Sequence, residues 1–373
     1  MSSTPSSGGA TQEATQDRPQ AVNALPVLCV GTAGMSVWFS RDLGETWERP
    51  YSESGLYLEA RVWSLSTHPD VPGEVLAGTD SGLYRWRESE RRWTHLPGPL
   101  DATCTWALAR SRTDASVIVA GTQPAALWRS DDAGLSWRAL PASLATECIF
   151  VHRPRVTQVI FDPEQADTLW AGVEIDAIHK STDGGASWQR LDQGLVSGDI
   201  HGVAVVRSPQ GRIVFATTNK GLHRSTDEGQ SWQLQPLDST WQYTRSIQAR
   251  ADGDGMLFLT NGNGPPGSTG RLLRSSDYGA HWEDVNLPGP LNSTPWCVSS
   301  HRDHPELVFA VSNLGQIFRS TDGGAHWEKL SREFGEVRAL AMVGGSSHQS
   351  RSIVDALAMP GVADIEFDPP RMG

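Results

Sequence analysis

The chain has 373 residues, a mass of 40.5 kDa and a formal net charge of −12, a length that alone suits two or three domains. Its 37 Gly and 23 Pro work against long helices; no apolar run reaches membrane-span length, and the acidic balance excludes a nonspecific nucleic-acid binder acting through phosphate neutralisation. The four cysteines, Cys29, Cys104, Cys148 and Cys297, form neither a CxxC nor a close pair, so neither a disulfide framework nor a zinc site is expected.

Residues 1–24 are rich in Ser, Thr, Gln, Pro and Gly, without the basic start and apolar run of a signal peptide. They read as a disordered tail and point to the cytoplasm. From residue 27 onward the chain repeats itself. The motif Ser-x-Asp-x-Gly-x-(Thr/Ser/His)-Trp occurs at residues 40–47, 130–137, 181–188, 225–232, 275–282 and 320–327. An eroded copy at 86–93 keeps Trp93 and places Glu88 where the others have Asp. Successive motif tryptophans, beginning at Trp47, are 46, 44, 51, 44, 50 and 45 residues apart, which accounts for much of a total of 15 Trp.

The motif is that of a hairpin turn. The Asp carboxylate accepts backbone N–H groups of its own turn, Gly supplies a positive φ, and the Trp ring covers the result. Ahead of each copy come short alternating segments bounded by turn residues. In the second unit these are residues 61–65, the turn at His68-Pro69-Asp70, residues 74–79 and residues 83–86. The fourth unit repeats the order at 156–161, 169–173 and 178–180, and the seventh at 296–299, 307–311 and 317–319, with His304-Pro305 read as its turn. Four strands in each repeat of 44–51 residues imply an all-β, seven-bladed β-propeller. Only residues 27–31 and 37–39 precede the first motif, so blade one lacks its innermost strand. Residues 336–342 have the inner-strand pattern and are expected to close the ring, leaving no free sheet edge. The expected organisation is a tail at 1–24, one propeller at 25–345 and a tail at 346–373.

The six full copies resemble the Asp-box, or bacterial neuraminidase repeat, class, which includes sialidases, sortilin-type receptors and photosystem-assembly factors. The resemblance covers residues 27–342 and implies boxes on the propeller face opposite the ligand site, so the motif Asp residues are structural. It does not extend to sialidase chemistry. The nearest match to that family's first arginine motif is Arg153-Pro154-Arg155, which lacks the Ile, and sialidases close with six blades. Only Tyr57 and Tyr243 lie near the expected mouth.

Inner strands begin at the face opposite the motif turns. Aligned by the motif Trp, their starts bring Trp63, Trp106, Thr157, His201, Arg245, Trp296 and Arg338 to the mouth. Two residues earlier lie Arg61, Cys104, Arg155, Asp199, Tyr243, Thr294 and Glu336. The second strands end beside them at Asp80, Gln123, Glu174, Asn219, Asn261 and Asn313. The expected ligand-binding residues are Arg61, Trp63, Trp106, Arg155, Tyr243, Arg245, Trp296, Glu336 and Arg338. Indoles and guanidinium groups together suit a small anionic molecule, with a protein partner as the other expectation, bound by a monomer without metal or cofactor. The competing reading is an enzyme, a non-sialidase glycosidase-like hydrolase or a lyase, with His201, Asp199 and Glu174 as acid–base candidates. A third is an assembly scaffold. Two insertions, residues 140–154 and 261–270, fall on the mouth face, where the second is a candidate lid. Asp252-Gly253-Asp254-Gly255 reads as a hairpin rather than a calcium loop, and no HExxH, GxSxG or GxxxxGK motif is present.

Overall fold

In the computed structural model, which describes residues 25–149 and 151–344, six of the seven repeats fold into an antiparallel sheet of four strands and blade one into a sheet of three. Blade two comprises Val62–Ser66, Glu74–Thr79, Leu83–Arg87 and Arg92–Leu96. The inner strands of blades three to seven are Cys104–Arg110, Val156–Phe161, Ile200–Ser208, Tyr243–Ala249 and Pro295–His301. Blade one pairs Val27–Thr32 with Val37–Ser40 on one side and with the C-terminal Val337–Val343 on the other. The closing register sets Val27 opposite Val343 and Cys29 opposite Ala341. The molecule is a seven-bladed β-propeller. The expected tails at 1–24 and 346–373 lie outside the described residues, and no described helix is long and apolar enough to cross a membrane.

Two details differ from the sequence expectation. The outer strand of blade one is a single bridge between Phe39 and Glu48. His304-Pro305 is not a turn: His304 pairs with His301 and opens the strand His304–Ser312, so the reversal occurs at Arg302-Asp303. The ladder reaches further than the position of Pro305 suggests, because Pro305 falls near a strand start, where a missing N–H is tolerated.

The six motif turns share one set of Ser and Asp hydrogen bonds, and in four of them the Trp indole adds a bond to the Gly carbonyl; the indole N–H of Trp232 and Trp282 has no partner among the described residues. At residues 181–188, the Ser181 hydroxyl donates to Asp183 and accepts the Gly185 N–H at 2.8 Å. Asp183 accepts the Ser187 N–H at 2.9 Å and the Ser187 hydroxyl at 2.6 Å, and the Trp188 indole donates to Gly185 O at 3.1 Å. Where His281 and His326 replace the hydroxyl residue, their Nδ1 sits 2.6 Å from the motif carboxylate instead. The motif glycine also faces the neighbouring blade. Gly279 has φ +81°, and a Cβ there would lie 2.4 Å from the Phe215 ring of blade five.

At five of the seven seams a cation just before the motif, or before its eroded copy in blade two, reaches the next turn. Arg129 donates to Gly184 O at 3.1 Å, Arg274 to Gly324 O at 3.0 Å and Arg319 to Leu43 O at 2.8 Å; Lys180 reaches Glu228 O, and Arg85 reaches Ala133 O. The receiving residues Leu43, Ala133, Gly184 and Glu228 all have positive φ, which turns their carbonyls outward. Blade two lacks the motif and meets blade one differently. Glu88 takes a bidentate hydrogen-bonded pair from Arg41, while Phe39 stacks on Trp86 at 4.9 Å.

The motif tryptophans are not equally buried. Trp93 and Trp232 are 2% and 3% exposed, whereas Trp188 and the other four are half-buried. Trp232→Ala is therefore expected to cost about 3–5 kcal/mol, the range for a large buried aromatic, and Trp188→Ala clearly less. Equal losses in chemical denaturation would contradict the burial difference. The motif hydrogen bonds also predict acid sensitivity. The Ser136, Ser187 and Ser231 hydroxyl and N–H groups hold Asp132, Asp183 and Asp227 down to about 2, below the ordinary 3.8. Because the folded values are lowered, this contribution is complete above the ordinary value and is lost as pH falls from about 4 to about 2. Melting temperature should drop across that window, and Asp183→Asn should give a shallower acid limb.

Candidate functional site

Every inner strand is irregular at the same place. The ladder between inner and second strands skips one register step near the start of the inner strand in all seven blades. The unpaired residues are Trp63, Trp106, Thr157, His201, Trp296 and Arg338, with Arg245 and Ser246 together in blade six. A bulge redirects the side chain it releases, and here all seven blades release theirs to the channel. These residues line one cavity of about 130 Å³, joined by Gln158 and Cys297. The structure thus brings together the whole first ring expected from the sequence.

The second ring, two residues earlier, does not line that cavity but surrounds it. Arg155 stacks over Trp106 at 4.1 Å and pairs with Glu174 at 2.5 Å. Tyr243 is buried against the His201 ring, 4.8 Å between centroids. Asp199 lies 3.3 Å from His201 Nε2, and Glu336 pairs with Arg338. Arg61 is exposed, and its backbone N–H reaches Asp80. Thr294 is displaced from the mouth: it is fully buried beneath the 261–270 insertion, taking Gly264 O at 2.7 Å through its hydroxyl and Pro266 O through its N–H. Those bonds fasten the segment expected as a lid to blade seven. The described residues of the other insertion, 140–154, contribute nothing to the cavity lining.

The centre of the mouth is a stack of indoles and guanidinium groups. Trp63 and Trp106 lie face to face at 4.3 Å, Arg245 sits over Trp296 at 4.2 Å, and Arg338 lies 5.0 Å from Trp296 and 5.7 Å from Trp63. Such contacts hold a cation against a π face without neutralising it. The cations burden one another: burial first, then Arg245 and Arg155, push Arg338 down to about 10. Burial raises the Glu174 carboxyl above its ordinary value against the pull of Arg155. Burial acts on Asp199 in the same direction, but His201, Arg245 and Arg155 together bring it below its ordinary value.

The acid–base candidates have protein neighbours, but not for every atom. His201 Nδ1 is 2.7 Å from Thr244 O and Nε2 lies 3.3 Å from Asp199, so both ring nitrogens have partners within the protein. Glu174 meets Arg155 through Oε1, while its buried Oε2 has no hydrogen-bond partner among the described residues; Glu336, a ligand-binding candidate, is held by Arg338. By contrast, Arg245 makes no ion pair among the described residues, and the buried Trp296 Nε1 has no acceptor there. Gln123, expected at the mouth from the end of its second strand, accepts the Trp106 indole N–H at 3.2 Å. Sequence reasoning missed Gln158 and Cys297, which enter the lining because the bulge turns their neighbours inward.

No model of a protein family and no curated protein matches the sequence. Among solved structures, the chain is similar to a GH74 enzyme of Niastella koreensis, at 20% identity and TM-score 0.57 over 72% of this chain and 45% of that one. It is similar to the GH74 xyloglucanase of Xanthomonas campestris at 22% identity and TM-score 0.54, over 72% and 45%. A YCF48 from Cyanidioschyzon merolae gives 15% and 0.53, over 77% and 95%. The chain spans less than half the length of the two GH74 proteins, and at these identities the likeness is one of fold.

Proposed function

We propose that the protein is a binding module whose channel mouth receives the acidic head group of a larger ligand. The observation that carries this reading is Arg245, a guanidinium held at 4.2 Å over Trp296 in the cavity wall without a carboxylate partner among the described residues. Arg155 and Arg338 stand close enough to weaken one another as cations, and an incoming anion relieves that repulsion. The cavity of about 130 Å³ admits a carboxylate or phosphate group and little more, so the body of the ligand lies across the mouth face.

That face suits a protein partner presenting an acidic side chain or terminus. Met35, Tyr51, Ile149, Val196 and Leu314 are five of eight large apolar side chains exposed among the described residues. Strand direction places all five in loops on the mouth face, and apolar side chains around a charged centre are the usual composition of a recognition surface. A glycosidase-like or lyase reading rests on Glu174 alone, whose Oε2 has no partner among the described residues, since His201, Asp199 and Glu336 are each tied to a neighbour.

Three indoles at the mouth supply the assay. Titrating the full chain with succinate is expected to give a saturable change in tryptophan fluorescence. Arg245→Ala should weaken it by about tenfold, near 1.4 kcal/mol, with the melting temperature unchanged. An unaltered response in Arg245→Ala, or none in the parent, overturns the reading.

A further inference from the structure

The other end of the channel holds a larger cavity, about 640 Å³, where the inner strands end on the face bearing the motif turns. That volume is typical of small-molecule sites. Val205, Val206 and Met342 give it an apolar floor. Five arginines from four blades line it: Arg110, Arg112, Arg207, Arg250 and Arg302. Three are already tied to carboxylates, Arg110 to Glu74 at 3.0 Å, Arg207 to Glu164 at 2.6 Å and Arg250 to Asp252 at 2.9 Å. Arg112 and Arg302 are exposed and make no ion pair among the described residues.

A histidine adds a directed donor. His68 and His301 occupy matching turns in blades two and seven, and each Nδ1 accepts the N–H of the Asp two residues on, at 3.1 and 3.2 Å. The neutral ring then carries its proton on Nε2. His68 spends that proton on Ser111 O of the next blade, at 2.9 Å. In blade seven the next blade is the closing strand Val337–Val343, and His301 Nε2 makes no hydrogen bond among the described residues although His301 borders the cavity. Burial lowers the His301 pKa, which favours the neutral form with Nε2–H as donor.

We propose that this cavity is a second binding site, for a small organic anion bearing two acidic groups, such as a phosphorylated metabolite. Arg112 and Arg302 pair with its charges, His301 Nε2–H donates to an acidic oxygen, and the carbon skeleton rests on Val205, Val206 and Met342. Guanidinium groups suit such oxyanions because their planar donors match two oxygens at once. The site lies at the opposite end of the channel from Arg245 and shares no lining residue with the mouth.

The probe is inorganic pyrophosphate, titrated calorimetrically into the full chain at low salt, where exposed charges are least screened. Saturable binding is expected, weakened about tenfold or more in the double variant Arg112→Ala/Arg302→Ala and unchanged in Arg245→Ala. His301→Gln should weaken it a few-fold. Both arginines are exposed, so an unchanged melting temperature verifies that the double variant is folded. Absence of binding to the parent chain, or full binding by the double variant, overturns the proposal. Loss of binding in Arg245→Ala alone would assign the anion to the mouth and overturn it equally.

Discussion

The ring depends on a contact each blade makes with the next. A single four-stranded blade has two apolar faces and cannot cover either by itself. The repeat solves this with one polar and one apolar device at the same height. At five seams the polar device is a guanidinium or ammonium group, placed just before the motif, that donates to a carbonyl in the following turn. That carbonyl is available because the residue bearing it is left-handed and outside any ladder. The apolar device is the absent side chain of the motif glycine, into whose space the neighbouring Phe215, Phe258 or Leu140 fits. The arginine-rich composition thus has a structural share, separate from whatever the channel uses.

Blade two shows what the contact requires. It lost the serine and the glycine of the motif and carries Glu88 in place of the Asp, yet it keeps its place. Glu88 receives Arg41 through its side chain where other turns offer a backbone carbonyl, and Trp86 and Trp93 enclose Phe39. What persists through the erosion is the reach of a cation across the seam and the filling of the space beside it; the residues that achieve this differ.

Architecture was legible because it is written in a motif that recurs at a fixed period, with Trp47, Trp93 and Trp137 marking blades much as commas mark clauses. The closing strand was legible too, since residues 336–342 alternate as an inner strand should and blade one lacked one. The site was legible only to a set of alternatives. Sequence alignment found both Trp63 and Arg61, both Arg245 and Tyr243, but alternation alone cannot say which of two same-facing positions enters the channel. The bulge decides it, and a bulge leaves no residue signature: Trp, Thr, His and Arg all occupy it. The opposite cavity was invisible for a related reason. Arg112, His301 and Arg302 stand in turns of different length, and nothing in their spacing reveals that the inner strands converge there. The displacement of Thr294 was hidden because it depends on an insertion in another blade.

Ring closure also fixes which way the protein faces. Val27 and Val343 are partners in the ladder of blade one, so the chain enters and leaves the propeller at adjacent points. Both points lie at the end of the closing strand remote from Arg338, beside the cavity bordered by Met342 and Gly344. Whatever precedes Val27 and follows Val343 is therefore attached to the same side of the disc. A tether through either end holds the propeller like a bowl by its base and presents the indole- and arginine-lined mouth outward. Such an attachment leaves the mouth face uncovered.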